Sequence, residues 1–315
     1  MDDETIISTS RAMRAAVRLV ERFAPTSVSI LLIGPTGTGK EVLARAIHRL
    51  SRRPGKLVDV NCAAIPRELA ESVLFGHRRG AFTGATSDTS GLMMQADRGT
   101  LFLDELSSLP VEMQPKLLRA LEQKEVLAVG DSTKRRTDFR VVAAVNDSIE
   151  SAAANGRLRP DLLHRVSGIR IPLTPLVERP EDIVPLARHF ALAASVQLTP
   201  EAEAILIDYG WPGNARELRA AIDRAAVLSD EPLIRASIMV EAIALGGGSE
   251  GLAARVESRQ TDPEARRRRL IELCERNAWK GDAIAEAMGV ARATLFRRLR
   301  AAGVSLRAVD ASSPR

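Results

Sequence analysis

A glycine-rich stretch at residues 34–41, Gly-Pro-Thr-Gly-Thr-Gly-Lys-Glu, constrains what this chain can fold into more than any other feature. An apolar run at residues 28–33 precedes it and an amphipathic run at residues 42–50 follows it, which predicts a buried strand, a loop and a helix. Loops of this kind turn backbone N–H groups towards phosphate oxygens, and the helix N-terminus and Lys40 add positive charge. The stretch therefore predicts a nucleoside triphosphate site.

The last position of this loop departs from the general pattern, because Glu41 stands where a Ser or Thr would contact magnesium. A glycine-rich turn without a ligand is the alternative, but the lysine and both flanking elements favour the nucleotide. The loop residues predicted to bind it are Gly34, Thr36, Gly37, Thr38, Gly39, Lys40 and Glu41.

Two adjacent acids end another apolar stretch, Gly-Thr-Leu-Phe-Leu-Asp-Glu at residues 99–105. Asp104 is placed to organise Mg²⁺, directly or through water, and Glu105 to orient or deprotonate the attacking water. Asn61 and Asn146 end two further apolar strands, and polar residues at such ends face the ligand crevice of an open α/β sheet. An acidic strand end that only starts a turn is the alternative, but the upstream phosphate loop favours a site for ATP and Mg²⁺.

Two arginines and one loop are candidates for contacts beyond a single subunit. Arg159 and Arg165 lie six residues apart. Within one chain they can form a solvated face, whereas a ring-forming ATPase presents such arginines to the next subunit's phosphates. Residues 75–86 are punctuated by glycine and carry Phe82, which predicts a projecting loop or tight hairpin. By itself this segment would favour a mobile surface loop.

The composition turns helical from residue 173, with helices predicted at residues 182–194 and 214–228. Thr-Pro at residues 199–200 predicts a cap and first turn of a helix between them. These helices predict a small lid over the nucleotide. Arg216, near the start of the last one, is placed to reach the phosphates or to form a surface salt bridge.

The charge of the chain is concentrated near its C-terminus. The net charge is +5, and residues 255–315 carry 14 Lys and Arg against 8 Asp and Glu, so this segment is at +6 and the remainder at −1. Positive charge gathered in one small helical region indicates a nucleic-acid partner. The chain has no run of about 18 apolar residues and an acidic N-terminus unlike a signal peptide, so we expect a cytoplasmic protein without membrane contact.

A separate C-terminal domain is predicted after a glycine-rich linker. Three predicted helices, at residues 265–277, 282–288 and 291–302, have the layout of a helix-turn-helix DNA reader, with a glycine turn before the last. Leu295 and Leu299 should pack inward. A helical dimerisation module with a basic face is the alternative. The residues predicted to contact DNA are Arg292, Ala293, Thr294, Arg297 and Arg298.

Taken together, these motifs resemble the bacterial enhancer-binding proteins, the AAA+ activators of sigma-54 RNA polymerase. The phosphate loop is similar to theirs down to its terminal Glu41. A second string, Gly-Ala-Phe-Thr-Gly-Ala, is similar to the loop with which the family engages sigma-54, and it is far more specific than any phosphate loop. The residues of that string are Gly80, Ala81, Phe82, Thr83, Gly84 and Ala85.

The resemblance implies a role for each matching residue. Asp104 and Glu105 would be the Walker B pair, and Asn61 would hold the glutamate inactive until the sigma-54 loop is engaged. Asn146 and Arg216 would be the two nucleotide sensors. The remaining roles are the arginine fingers supplied in trans, a second pore loop and a Fis-type DNA-binding domain, carried by Arg159 and Arg165, residues 131–136 and residues 265–306, respectively.

The implied fold is a P-loop AAA+ parallel sheet with helices on both faces, a helical lid and an all-α helix-turn-helix domain. The predicted boundaries are residues 1–172 for the α/β subdomain, 173–245 for the lid, 246–264 for the linker and 265–315 for the DNA-binding domain. The implied activity is ATP hydrolysis in an oligomeric ring, expected to be hexameric, that binds upstream enhancer DNA and remodels sigma-54 RNA polymerase holoenzyme. On DNA the protein would be nucleoid-associated.

Three features depart from the family pattern. Val145 occupies a position where Thr is common, Arg78 falls where Glu is common, and we expect no receiver, GAF or other sensory domain ahead of the ATPase. The last departure implies regulation by a partner protein, by expression level or by co-assembly with a related subunit. A generic AAA+ remodeller and a weakly hydrolysing DNA-binding member of a mixed ring remain the alternatives, and Val145 is the only motive for the second.

Overall fold

The structure is a computed structural model that describes residues 6–146 and 154–247, and in the C-terminal region residues 263–277 with six further positions. Those positions are Trp279, Gly281, Ile284, Leu295, Leu299 and Val304. The chain divides into two compact units, residues 1–242 and 243–315. Within the described part of the chain, no helix is long and apolar enough to cross a membrane.

The first unit contains a parallel sheet of five strands. Their order across the sheet is β2 (Leu57–Asn61), β5 (Thr100–Asp104), β8 (Arg140–Val145), β1 (Ile30–Ile33) and β9 (Ile169–Pro172). Its strands are the apolar runs of the sequence, because a parallel sheet is covered on both faces and has no polar side. In β1 and β8 almost every residue is buried.

Helices cover both faces of this sheet, which confirms the predicted α/β architecture. On one face α1 (Arg11–Phe23) and α2 (Lys40–Ser51) share an apolar core with residues such as Leu32 of β1. The opposite face, with Leu31 of β1, is covered by four helices. These are α3 (Ala70–Phe75), α4 (Leu92–Gln95), α5 (Gln114–Gln123) and α6 (Pro160–Val166).

The strand order brings the predicted site residues to one edge of the sheet. β8 lies between β1 and β5, with Ile33 opposite Val145 and Leu103 opposite Ala143. The carboxyl ends of the three strands therefore lie side by side, and ligands of open α/β sheets bind at that edge. The phosphate loop follows β1, Asn146 follows β8, and Asp104 ends β5.

Two antiparallel hairpins project from this core and are joined to each other. The first consists of β3 (Gly76–His77) and β4 (Thr89–Ser90), which confirms the hairpin predicted for residues 75–86. The second consists of β6 (Glu125–Val126) and β7 (Arg135–Arg136), so the predicted pore loop ends in a strand. The Arg78 N–H donates to the Val129 carbonyl and the Val129 N–H to the Gly76 carbonyl, each at 2.9 Å.

The predicted lid is a helical subdomain in which α9 (Asn214–Leu228) packs on α7 (Ile183–Ala193), and α7 packs on α8 (Pro200–Asp208). The helices predicted at residues 182–194 and 214–228 are confirmed. Thr199 caps α8 as predicted, because its Oγ1 accepts a hydrogen bond from the Ala202 N–H at 3.2 Å. The subdomain also contains β10 (Gln197–Leu198), β11 (Leu233–Ile234) and α10 (Ala236–Leu245).

A fully buried arginine fixes the end of α1 against the sheet. Arg140, the first residue of β8, is 2% exposed, and its guanidinium donates to the carbonyls of Phe23, Ala24 and Val28. The Nη2 atom lies 2.8 Å from the Phe23 oxygen. A cation at a helix C-terminus is favoured by the orphan carbonyls and by the helix dipole. Burial lowers the pKa of Arg140 to about 10.

The second unit contains α11 (Pro263–Arg276) and a small apolar cluster. Leu295 and Leu299 are 0% and 2% exposed, which confirms that they pack inward. The five residues predicted to contact DNA lie outside the described residues. The cluster consists of Leu270, Cys274, Ile284, Leu295, Leu299 and Val304.

Candidate active site

The phosphate loop is built around glycines in the left-handed region of backbone space. Gly37 has φ +79° and Gly39 has φ +106°, values that other residues rarely adopt. A Cβ added at Gly37 would lie 2.3 Å from the Gly213 carbonyl oxygen of the lid, so a side chain cannot be accommodated there. These two positions let the chain turn sharply before α2 begins at Lys40.

Lys40 is the buried positive charge of the site, with 6% of its surface exposed. Its Nζ donates to the Gly34 carbonyl at 2.7 Å, the Pro35 carbonyl at 3.0 Å and Asn146 Oδ1 at 2.6 Å. Burial lowers the pKa of Lys40, and the charge of Arg216 lowers it further against the opposing effect of nearby carboxylates. The three acceptors are neutral oxygens, so the ammonium suits an anionic ligand.

Asn146 connects the lysine to the predicted catalytic acid. Its Nδ2 donates to Glu105 Oε1 at 3.1 Å, while its Oδ1 accepts from Lys40 Nζ. Glu105 has φ +52°, an uncommon conformation for a residue other than glycine. The three side chains predicted from separate segments of the sequence therefore form one hydrogen-bonded chain.

Asp104 lies beside this chain at the end of β5. Its Oδ1 accepts a hydrogen bond from the Glu105 N–H at 2.9 Å. Burial raises the pKa of Asp104, whereas the Glu105 N–H and the charge of Lys40 lower it. A half-buried carboxylate at this edge fits a divalent cation, since Mg²⁺ in nucleotide sites is held by one or two carboxylates together with phosphate oxygens.

Asn61 is placed beside Asp104, its partner in the register of β2 and β5. Its Oδ1 accepts hydrogen bonds from the N–H groups of Ala63 at 2.9 Å and Ala64 at 3.3 Å. The resemblance implied that Asn61 holds Glu105, but here the hydrogen bond to Glu105 comes from Asn146. The Asn61 oxygen caps the orphan N–H groups of the 3-10 turn after β2, and the role of Asn61 towards Glu105 stays a prediction.

Glu41, the unusual last residue of the loop, forms an ion pair with Arg45 one turn further along α2. The Oε1–Nη2 distance is 2.6 Å, and both side chains are exposed. The Arg45 guanidinium is also 4.0 Å from the Asp59 carboxylate on β2. The Glu41 carboxylate therefore belongs to a surface ion-pair network beside the phosphate loop.

Residues of the lid donate hydrogen bonds to the carbonyl groups of the phosphate loop. Asn214 Nδ2 donates to the Thr36 carbonyl at 3.0 Å, and the Ala215 N–H donates to the Gly37 carbonyl at 2.9 Å. Arg179 Nη2 donates to the Thr38 carbonyl at 2.9 Å. Consecutive carbonyls of the loop are thus bonded to groups that lie more than 100 residues away in the sequence.

Arg216 follows these contacts on α9 and lies against the loop. A Cβ built on Gly37 would be 3.1 Å from the Arg216 Cβ, and the Arg216 charge lowers the pKa of Lys40. The reach of Arg216 towards the phosphates stays a prediction. Arg179 and the buried Asn214 were missed as site residues. An isolated Arg or Asn in a helical segment carries no sign that it is buried, since both are ordinarily exposed.

Arg159 and Arg165 are engaged elsewhere within the chain. Arg159 precedes α6 and forms an exposed ion pair with Asp161 at 2.7 Å. Arg165 Nη2 donates to the Leu121 carbonyl at 2.9 Å. Neither of these two contacts connects Arg159 or Arg165 to Lys40.

The predicted sigma-54 string forms the turn of the first hairpin. The Gly80 N–H donates to the Ala85 carbonyl at 2.9 Å, which closes the turn. Phe82 is 40% exposed, and its ring meets the His77 ring edge to face with centroids 5.0 Å apart. An apolar aromatic at the tip of a polar hairpin is suited to contact another macromolecule.

Ion pairs of Arg78 connect the two hairpins at their base. Arg78 Nη1 is 2.5 Å from Asp88 in the first hairpin, and Arg78 Nε is 2.8 Å from Asp131 in the second. Hydrogen bonds from the Arg79 N–H and the Arg78 side chain lower the pKa of Asp88. Arg78, the residue that departs from the family pattern, thus has acidic partners that accommodate its charge.

A parallel sheet with a phosphate loop after β1, two acids at the end of β5 and a helical lid bonded to the loop define a P-loop nucleoside triphosphatase of the AAA+ class. The comparisons with known proteins specify the class further. Residues 6–172 match the family model of the sigma-54 interaction domain, and residues 177–253 match the AAA+ ATPase lid domain. The chain belongs to the family of sigma-54-dependent transcriptional activators.

Similar proteins include the alginate biosynthesis transcriptional regulatory protein AlgB of Pseudomonas putida, at 41% identity over 300 residues, 92% of this chain and 66% of AlgB. The sigma54-dependent transcriptional activator SfnR of Pseudomonas putida is 43% identical over 231 residues, 71% of this chain and 63% of SfnR. The structure of NtrX from Brucella abortus in complex with ATP superposes with a TM-score of 0.69 at 32% identity, covering 96% of this chain and 71% of that chain. The chain thus spans about two thirds of these curated relatives.

Proposed function

We propose that this protein hydrolyses ATP and uses the energy to remodel sigma-54 RNA polymerase holoenzyme at promoters. The observation that carries the proposal is the hydrogen-bonded chain from Lys40 through Asn146 to Glu105, in a molecule that also exposes Phe82 on a hairpin. The first feature supports nucleotide chemistry, and the second, within a matched sigma-54 interaction domain, supports the target. The structure of NtrX with ATP adds support for ATP as the nucleotide.

In the proposed mechanism the loop amides and Lys40 bind the phosphates, and Glu105 orients and deprotonates the attacking water. Asn146 holds Glu105 at a fixed distance from Lys40, which links the position of the base to the phosphates. Asp104 would hold Mg²⁺, which supplies charge neutralisation at the phosphates when it is bound. Asn61, one strand away, would act on Glu105 through its amide Nδ2, since its Oδ1 caps the following turn.

The proposed assembly is a ring, expected to be hexameric, formed by this chain alone or with a related subunit. In such a ring Arg159 or Arg165 would be supplied to the nucleotide of the neighbouring subunit, and an arginine of this kind is worth ~10³–10⁵ in rate. Both arginines lie at or on α6, so release from their present partners would be required. Arg216 would sense the nucleotide within its own subunit.

The proposed DNA-binding part is the basic C-terminal region, which would place the protein on enhancer DNA in the cytoplasm. Its candidate residues are those named from the sequence, with Arg292 and Arg297 foremost. Residues 265–315 are proposed as this domain, residues 246–264 as the linker, and a regulatory partner protein as the source of the activating signal. The charge of +6 on residues 255–315 supports this assignment.

Transcription in vitro tests the proposal. With sigma-54 holoenzyme and a supercoiled template, transcripts should depend on ATP and on this protein, and Thr83→Ala should abolish them while ATP hydrolysis continues. Thr86→Ala, at an exposed threonine outside the string, is the matched control and should keep full activity. Transcription by Thr83→Ala equal to that of the control would show that the sigma-54 assignment of the hairpin is wrong.

A further inference from the structure

A buried arginine at the base of the lid contacts the phosphate loop, and the predicted site residues do not include it. Arg179 lies between two 3-10 turns, Leu176–Glu178 and Pro180–Asp182, and is 3% exposed. Its Nη2 donates to the Thr38 carbonyl at 2.9 Å, and its Nη1 is 3.6 Å from Asp182 Oδ2. Burial lowers the pKa of Arg179, an effect that the Asp182 charge opposes.

Asp182 in turn binds the segment that precedes α1. It is fully buried, and its Oδ1 accepts hydrogen bonds from the N–H groups of Thr9 at 2.6 Å and Ser10 at 2.7 Å. Ser10 Oγ donates to Asp182 Oδ2 at 2.7 Å and accepts from the Met13 N–H at 3.2 Å as the cap of α1. The side chains of Arg179 and Asp182 therefore connect the phosphate loop to the N-terminal segment, and Asp182 lies 172 positions after Ser10 in the sequence.

The position of the Thr38 carbonyl decides where a neighbouring N–H group points. The carbonyl of Thr38 and the N–H of Gly39 belong to one planar trans peptide unit, so they point in opposite directions. Holding the Thr38 oxygen towards Arg179 therefore directs the Gly39 N–H away from the lid. Gly39 has φ +106°, a conformation that favours glycine, and the hydrogen bond from Arg179 fixes the carbonyl side of the peptide that precedes it.

We propose that Arg179 is a positioning residue of the phosphate loop and that Asp182 couples it to Thr9 and Ser10. A change in the segment before α1 therefore alters nucleotide affinity, because it reaches the phosphate loop through the buried side chains of Asp182 and Arg179. Breaking a buried charge pair leaves the remaining charge unsatisfied, so the coupling is strong. The proposal concerns the proposed ATP site and rests on its binding nucleotide.

The test compares Arg179→Gln, Arg179→Lys, Asp182→Asn and Ser10→Ala in the full chain. Affinity is measured for fluorescent ATP and ADP analogues, together with KM and kcat for ATP. Arg179→Gln should weaken both analogues about tenfold and raise KM, since one charge-assisted hydrogen bond to the loop is lost. Arg179→Lys should restore part of the affinity. Ser10→Ala should weaken binding about threefold, but should have no further effect in the Arg179→Gln background.

The matched control is Arg140→Met, which removes a second buried arginine that makes no contact with the phosphate loop. It should lower stability to urea and leave the affinity of the folded protein for both analogues unchanged. Ser10→Ala and Arg179→Lys carry the test if Arg179→Gln does not fold. Wild-type affinity in the folded Arg179 variants, or additive effects of Ser10→Ala, would overturn the inference. A wild-type chain that binds neither analogue would overturn the proposed function and the inference with it.

Discussion

The phosphate loop and the pair of hairpins are each held by the contacts of one arginine, but the two arginines differ in burial. At the loop, Arg179 is buried and joins segments remote in sequence through Thr38 and Asp182. At the hairpins, the Arg78 side chain is 37% exposed and forms ion pairs with the exposed Asp88 and the largely buried Asp131. The comparison indicates that the surroundings of the phosphate loop are rigid and preorganised, whereas the hairpins can change position at a small cost in free energy.

The largest expected effect is on ATP hydrolysis and involves the site at the sheet edge, not the hairpins. Glu105→Gln should lower ATP hydrolysis by ~10²–10⁴ because it removes the proton acceptor and keeps the shape of the side chain. Nucleotide affinity should stay near the wild-type value, since Lys40 and the loop are intact. Phosphate release and binding of a fluorescent analogue measure the two quantities.

Glu112→Gln is the control for this change, because Glu112 is an exposed acid paired with Arg67. It should hydrolyse ATP at the wild-type rate. Retention of more than a tenth of the activity by Glu105→Gln would exclude Glu105 as the base and would remove the distinction between chemistry at the sheet edge and contact at the hairpin.

The next effect concerns what a buried arginine contributes to the core. Arg140→Met should lower the free energy of unfolding by ~2–4 kcal/mol, because the carbonyls of Phe23, Ala24 and Val28 lose their donor. Urea denaturation followed by circular dichroism measures this. Arg188→Met, at an exposed pair with Glu203, should change stability little. Equal stability of the two variants would show that burial of an arginine does not distinguish rigid from adaptable regions here.

The smallest effect is expected at the hairpins. Arg78→Gln should lower urea stability only slightly, because the ion pairs of a partly exposed arginine are screened by water and contribute little. It should lower transcription about two- to fivefold through a less defined position of Phe82, while ATP hydrolysis in the absence of polymerase is unchanged. Arg79→Gln, at the neighbouring exposed arginine, is the control. A large stability loss for Arg78→Gln would mean that the hairpin base is as rigid as the loop.

Much of the site was readable because short motifs carry their own geometry. The phosphate loop, the acids at residues 104–105 and Asn146 all follow apolar strands, and the strand order places them together at one edge. The role implied for Asn61 stays a prediction, and the hydrogen bonds that its oxygen accepts cap the turn after β2. The partner that such a polar side chain takes cannot be read from residue identity.

The sequence by itself determined the glycine loop, the apolar strands, the helices of the lid and the exposed aromatic hairpin, because each depends on residues close together in the chain. Tertiary structure alone decided that Asn146 joins Lys40 to Glu105, that Arg179 and Asp182 join Ser10 to Thr38, and that Arg78 binds two acids. Burial and pairing of polar groups are set by which distant segments meet. The energy of a charged side chain depends on those neighbours far more than on the residues next to it in sequence.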